Sequence, residues 1–439
     1  MKTFYIHKLG CPKNDVDADY ISGFLQQQQM LPTDNPDQAD LLIINSCAFI
    51  QSAKEESIEA ALKLAQLKEI GSEKKLILTG CLSQRYAEDL QKQMPELDGI
   101  FGLNNITDIP LIFEGKKGRV IARSENLRHF PEYDFRRTVN PDEVYGYLKI
   151  SDGCDNRCSY CAIPDIRGPF RSRKIENIVD EARMLVDSGK SELILVSQES
   201  SAYGRDLYNR PQLLKLLDAL GAIPGDFWLR IMYLHPARLQ PELIEYMIDN
   251  SRICSYFDLP LQHISDRILK RMNRRVTRLQ IEKLLERIRL HGDRVAVRTT
   301  FIVGFPGETD KEFDELAAFA AEQRFDRMGA FVYSAEEDTP ASTLDRGIDE
   351  ETAQDRYSQL MMMQQDIAFE LNVEEKGRQL EVLVETVDKE NGFSIGRTRY
   401  DAPEIDQSVR LDFVDAAPGS IVPALITGCD GYDLLGRKG

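Results

Sequence analysis

The sequence reads as a multidomain α/β protein: an N-terminal parallel α/β domain, a central partial (βα)6 barrel and a small C-terminal β-barrel. Three observations carry that reading. A strand–cysteine–helix unit repeats three times in the first hundred residues. Six further strand–helix units follow from Val144, and after Lys376 helices give way to short strands with Gly and Pro turns. At 439 residues the chain exceeds one ordinary core. Its hydrophobic content of 42% and charged content of 29% are those of a globular protein.

The repeat comes first. TFYIHKL, DLLIINS and KLILTG each read as a short buried strand, followed by a loop holding Cys11, Cys47 or Cys81 and then a helix. Alternating strands and helices imply a parallel sheet with right-handed crossovers. All strand carboxyl ends then lie along one edge, where ligands bind in such sheets. Cysteines 36 and 34 residues apart are thus expected at a single edge. The second helix, from about Ser52 to Lys68, spaces Ile58, Ala61, Leu62 and Ala65 as one buried face.

In the central part YGYLKI, ELILVS, WLRIMYL, SYFDLPL, AVRTTFIV and GAFVYS are the six strands. Thr277 with Gln280, and Thr309 with Glu312, form capping boxes that start helices. Ile175, Ile178, Val179, Ala182 and Leu185 share a face of a helix that Gly189 ends. Six units are too few for a complete eight-fold barrel. A long helix follows, its Met361, Met362 and Met363 reading as packing residues. QLEVLVETVD, FSIGRTRY, SVRLDFV and SIVPALITG are the strands of the last module. The expected boundaries are 1–115, a linker at 116–139, 140–374 and 375–439.

Composition excludes several classes. No apolar run approaches the roughly 20 residues of a bilayer span, and the N-terminus lacks a signal-peptide pattern. The expected address is therefore cytoplasmic. A net charge of −17 argues against a broad nucleic-acid surface and suits a basic partner. Eight cysteines in a reducing compartment point away from disulfides, toward metal ligation or core packing.

The segment SDGCDNRCSYCAIP sets Cys154, Cys158 and Cys161 directly after the first barrel strand. Thiolates select zinc, copper or iron–sulfur clusters. A structural zinc site wants four ligands, and only three are local. Three ligands on a 4Fe-4S cluster leave one iron open to a substrate or cofactor. Here the chain resembles the radical S-adenosylmethionine (SAM) superfamily, including the aromatic Tyr160 before the last cysteine. That resemblance implies SAM bound at the open iron and cleaved to a 5′-deoxyadenosyl radical.

IVGFPGE places Gly304, Pro306 and Gly307 after the fifth strand, where glycine admits either a close ligand or a tight turn. Gln198 and Glu199 end the second strand as polar groups at the same rim. With Tyr160 they form the expected SAM-contacting set. The N-terminal cysteines at equivalent positions of three units would hold a second three-ligand cluster. Cys254 and Cys429 read as core residues, and His235 and His263 as structural or substrate contacts.

The order of parts resembles the methylthiotransferase family over essentially the whole chain. There the C-terminal module is a TRAM domain, an oligonucleotide-binding-like barrel, and the reaction replaces C–H by C–S–CH₃. The resemblance implies two 4Fe-4S clusters and SAM, used once as radical source and once as methyl donor. It also implies an electron-donating reductase and a sulfur donor. LGCPKNDVDAD, YFDLPLQHISDRILKRMNR and GRTRYDAPEID look like the RimO branch, which modifies an aspartate β-carbon on ribosomal protein S-twelve. The tRNA-modifying branch carries Gln-Met-Asn where this chain has Pro12, Lys13 and Asn14. From Glu375 to Gly439 there are 12 acidic and 8 basic residues. This balance fits a basic protein substrate better than a phosphate backbone. The alternatives are a tRNA adenosine methylthiotransferase, for which a basic TRAM surface is expected, and a non-catalytic iron–sulfur carrier.

Overall fold

The computed structural model describes residues 1–68, 73–114, 120–122, 124, 127–128, 130–292, 295–345 and 347–439. The first sheet comprises β1 (Thr3–Lys8), β2 (Leu31–Pro32), β3 (Leu41–Ser46), β4 (Lys75–Gly80), β5 (Gly99–Phe101) and β6 (Val120–Ala122). These pair in parallel in the order β2-β1-β3-β4-β5-β6. The central β3 is buried along its whole length, as a parallel strand covered on both faces must be. Helices α1 (Pro12–Gln27), α2 (Gln51–Ala65) and α3 (Cys81–Arg85) follow β1, β3 and β4. Cys11, Cys47 and Cys81 therefore share the carboxyl edge, as the repeat predicts.

Two expectations need correction in this domain. The face of α2 that turns inward carries Ser57, Ala61 and Leu64, whereas Ile58 and Leu62 are 37% and 45% exposed. The reason is a polar anchor. The Ser57 Oγ accepts the Cys47 N–H at 3.0 Å and lies 3.1 Å from the Cys47 carbonyl, which rotates the helix toward the cysteine loop. The stretch expected as a linker also contributes structure: β6 extends the sheet, and Tyr133 and Phe135 stack against Tyr20 and Phe24 of α1. Few apolar runs do not prevent pairing when backbone hydrogen bonds and isolated aromatics suffice.

The central strands are Tyr145–Lys149, Glu192–Val196, Trp228–Ile231, Tyr256–Gln262, Ala296–Val303 and Arg327–Val332. They form two three-stranded parallel sheets in sequential order. One isolated parallel bridge, Leu229 to Ile253, joins them, with the Cys254 N–H donating to the Leu229 carbonyl at 2.8 Å. The helix Ile175–Asp187 buries the five expected apolar residues, and both capping boxes form. Met361 and Met363 pack on the barrel core, while Met362 is exposed. Among the described residues no helix is long and apolar enough to cross a membrane.

The last module is a closed barrel of Gln379–Asp388, Phe393–Thr398, Val409–Leu411, Asp433–Lys438 and Ile421–Asp430, in that order. Its fifth strand, DLLGRK, was not among those expected. It pairs back on its predecessor through the tight Gly431–Tyr432 turn.

This barrel seals the amino-terminal end of the partial barrel, opposite the cysteines. Glu192 sits wholly buried between Arg230 at 2.6 Å and Arg397 at 2.7 Å. Burial pushes its carboxyl up, but the two guanidiniums outweigh that and hold it below the ordinary range. Asp401 pairs with Arg327, and the Tyr256 hydroxyl donates to Asp406 at 2.6 Å. Part of the module's acidic charge thus lies in the seam.

Candidate active site

Cys154 follows the first barrel strand in a loop whose shape is fixed by backbone contacts. Gly153 has φ +74°, and a Cβ there would lie 2.2 Å from the Pro169 carbonyl, so only glycine fits. The Cys154 N–H donates to Gly168 at 3.2 Å, and Ser159 is bonded through its N–H to Met272 and through Oγ to Arg271. Cys158 is buried, and Cys154 and Cys161 are partly buried. Burial pushes the Cys154 thiol up to about 11 and raises Cys161 as well. Such thiols become thiolates when a metal binds them.

A buried cation accompanies each cysteine set. Arg274 Nη1 lies 3.9 Å from Cys158 Sγ, and its Nη2 donates to the Pro260 carbonyl at 2.5 Å. Arg167, 1% exposed, donates to Asn14 Oδ1 at 2.6 Å. Asn14 Oδ1 in turn lies 3.9 Å from Cys81 Sγ. Burial raises the Cys81 thiol to about 12 against the pull of Arg167, and burial also raises Cys47. Gly10, with φ +97°, leaves space that a Cβ would take from Cys47, 3.1 Å from its Sγ. Two sets of three thiols, each beside a buried guanidinium, fit a group that makes thiolates and carries net negative charge. Among the described residues no three His, Cys, Asp or Glu groups close on a single-ion geometry.

The two sets are brought toward each other by packing. Helix Ile163–Arg167 begins two residues after Cys161, and its Ile166 shares a hydrophobic cluster with Cys81 and Leu82 of α3. Arg167 at its end also holds Asp152 at 3.1 Å and Asp17 at 3.2 Å, tying the segment between the first barrel strand and Cys154 to α1. Burial raises the Asp152 carboxyl, but Arg167, Lys149 and Arg171 outweigh it and depress it far below the usual range.

The remaining rim residues take distinct roles. Glu199 is buried and accepts from Asn156 at 2.6 Å and Arg238 at 2.5 Å, so it organises the cysteine loop. Gln198 donates to Asp152 at 3.0 Å, and its buried Oε1 has no hydrogen-bond partner among the described residues. Tyr160 packs with Ile268, Met272 and Phe305 beside Cys158, and burial raises its phenol well above the ordinary value. Gly304 and Gly307 both have positive φ and form a closed turn. The Glu308 carboxylate accepts the Gly304 N–H at 2.5 Å, and Arg271 donates to the Pro306 carbonyl at 3.1 Å.

His235 caps a 3-10 turn by accepting from Ala237, and burial together with Arg274 and Arg238 pushes its pKa down to about 2. His263 accepts from the Ser265 N–H and faces Glu308 at 3.2 Å. Both histidines are structural at this rim. Cys254 is fully buried in the seam with the last barrel and Cys429 packs on that barrel's core. Arg167, Arg274, Asn14 and Asn156 were missed by sequence reasoning. Arg274, Asn14 and Asn156 lie within motif stretches and Arg167 three residues beyond one, but arginines and asparagines there carry no spacing signal of their own.

Comparison with known proteins agrees part by part. Residues 148–320 match the Radical SAM superfamily, residues 3–102 the Uncharacterized protein family UPF0004, and residues 377–438 the TRAM domain. The radical SAM methyltransferase TsrM of Kitasatospora setae, solved with cobalamin and a 4Fe-4S cluster, shares the fold. It superposes with TM-score 0.57 at 15% identity over 77% of this chain and 76% of that one. Partial barrel, cysteine loop and superfamily match together define a radical SAM enzyme. Ribosomal protein uS12 methylthiotransferase RimO of Desulforamulus reducens is 43% identical, covering 100% of this chain and 99% of that protein. The enzyme of the same name from Clostridioides difficile is also 43% identical, covering 98% and 97%. The chain belongs to the RimO methylthiotransferase family.

Proposed function

We propose that this protein adds a methylthio group to the β-carbon of an aspartate in ribosomal protein uS12. The observation that carries this reading is the presence of two three-cysteine sites, packed together across Arg167, in a chain matching RimO along its full length. On this reading Cys154, Cys158 and Cys161 hold one 4Fe-4S cluster, and Cys11, Cys47 and Cys81 hold a second. When bound, the first with SAM supplies the hydrogen-abstracting radical and the second supplies a sulfur atom. SAM would contact Tyr160, Gln198, Glu199, Gly304, Pro306 and Gly307, with Gln198 Oε1 as the free acceptor and the glycine turn as backbone wall.

The chain's own work is placement. Arg274 and Arg167 balance thiolate charge at their respective sites. Glu199, Asn156 and Arg238 hold the cysteine loop, and the buried strand ends keep water from the reacting carbon. An electron-donating reductase and a sulfur donor complete the reaction. The remaining acidic surface of the TRAM module suits a basic substrate protein.

The test is anaerobic reconstitution with iron and sulfide, then incubation with SAM, reductant and purified uS12. A gain of about 46 Da on one aspartate, the nominal mass of added CH₂S, supports the proposal. The same gain on tRNA adenosine, with uS12 unchanged, would retain the enzyme class and overturn the substrate.

A further inference from the structure

The first turn of α1 carries a cation that forms no ion pair with a carboxylate among the described residues. Lys13, two residues after Cys11, is 7% exposed. Its Nζ lies 3.3 Å from the Ser197 carbonyl and 3.7 Å from the centroid of the Tyr233 ring. It therefore projects from the N-terminal domain onto the carboxyl ends of two adjacent barrel strands. The carboxylates nearby are engaged elsewhere: Asp17 and Asp152 by Lys149 and Arg167, Asp258 by Arg298, Glu199 by Arg238. Among the described residues none forms an ion pair with Lys13. The buried ammonium thus faces one carbonyl, the Tyr233 side chain and the Cys11 thiol, with no carboxylate of its own among the described residues.

Two further features point to an anion at this place. Tyr233 has φ +61°, a left-handed conformation that is strained for a bulky residue and is held by its N–H donating to Asp258 at 2.9 Å. That conformation sets the ring under the ammonium. The start of the 16-residue α1 has no side-chain cap, so the positive end of its dipole reinforces Lys13.

We infer that Lys13 binds the side-chain carboxylate of the aspartate that is modified. This rests on the proposed function. The β-carbon is bonded directly to the carboxylate carbon. A cation two residues from Cys11 that grips the carboxylate thus registers the β-carbon against the sulfur-bearing site. It also distinguishes aspartate from asparagine, which has the same shape without the charge.

The test uses full-length, anaerobically reconstituted protein as wild type, Lys13→Met and Lys13→Arg. The probes are two fluorescent peptides spanning the uS12 target loop, one with the target aspartate and one with asparagine there. Wild type binds the aspartate peptide roughly 10- to 100-fold more tightly, as expected for a hydrogen bond to a charged group. Lys13→Met retains its iron and sulfide content and binds both peptides alike, and Lys13→Arg recovers part of the preference. An unchanged preference in Lys13→Met, or none in wild type, overturns the inference. So does loss of iron from Lys13→Met, which would make Lys13 a charge-balancing support of the Cys11 site. A wild-type enzyme that modifies tRNA and ignores the aspartate peptide refutes the proposed function itself, and this inference with it.

Discussion

The two cysteine sites are built in opposite ways. Cys154, Cys158 and Cys161 lie within one loop, shaped by the Gly153 turn and by hydrogen bonds to other parts of the same barrel domain. Cys11, Cys47 and Cys81 come from three loops and meet because three parallel strands end at one edge. Their cations differ too. Arg274 meets Cys158 and a backbone carbonyl, whereas Arg167 is a hub that also carries two buried carboxylates. The first site is completed within the barrel domain, while the distributed site depends on the packing of two domains.

That contrast can be broken most sharply at the cysteines. Cys158→Ala is expected to reduce SAM cleavage to background, read as 5′-deoxyadenosine. Cys47→Ala is expected to spare cleavage, lose about half the iron and stop methylthiolation, because the cofactors carry the hard steps. Product from Cys47→Ala would remove the second site from the reaction.

The cations give a graded test. Arg167→Met leaves Asp152 and Asp17 to Lys149 and Arg171 alone, and a destabilisation of about 3 kcal/mol is expected in chemical denaturation. Arg274→Met leaves no carboxylate unpaired. It should fold normally and instead lose roughly 10- to 100-fold in cluster affinity, as second-layer partners of metal ligands do. Equal stability of the two variants would refute the difference in construction.

The smallest expected effect sharpens the same point. Asp15, on α1 near the domain junction, has its pKa raised from 3.8 to about 6 by burial, with Glu404, Asp19 and Glu143 adding to the shift against Lys8. A carboxyl so raised favours folding fully below its unfolded pKa and loses that contribution as pH rises through about 6. Asp15→Asn is therefore expected to stabilise by about 1 kcal/mol near neutral pH, with the gain shrinking in acid. Thermal melts across that window would show it, and a pH-independent difference would contradict it.

The sequence alone determined the three-part architecture, the local cysteine site and the candidate second one. Each rests on a regularity of short range: a period of two or 3.6, a capping box, a C-x-x-x-C-x-x-C spacing, or a unit repeated at near-equal intervals. The face that α2 buries was misread because one hydrogen-bonded serine outweighs two exposed apolar side chains. The expected linker was misread because β6 gains its place from a neighbouring strand rather than its own composition. Only the tertiary structure decided that Arg167 and Arg274 stand beside thiols, that Glu192 is clamped by arginines from two modules, and that Lys13 is buried without a carboxylate. Charges and amides of this kind have no periodicity. Their partners lie tens to hundreds of residues away, and only packing brings them within hydrogen-bond reach.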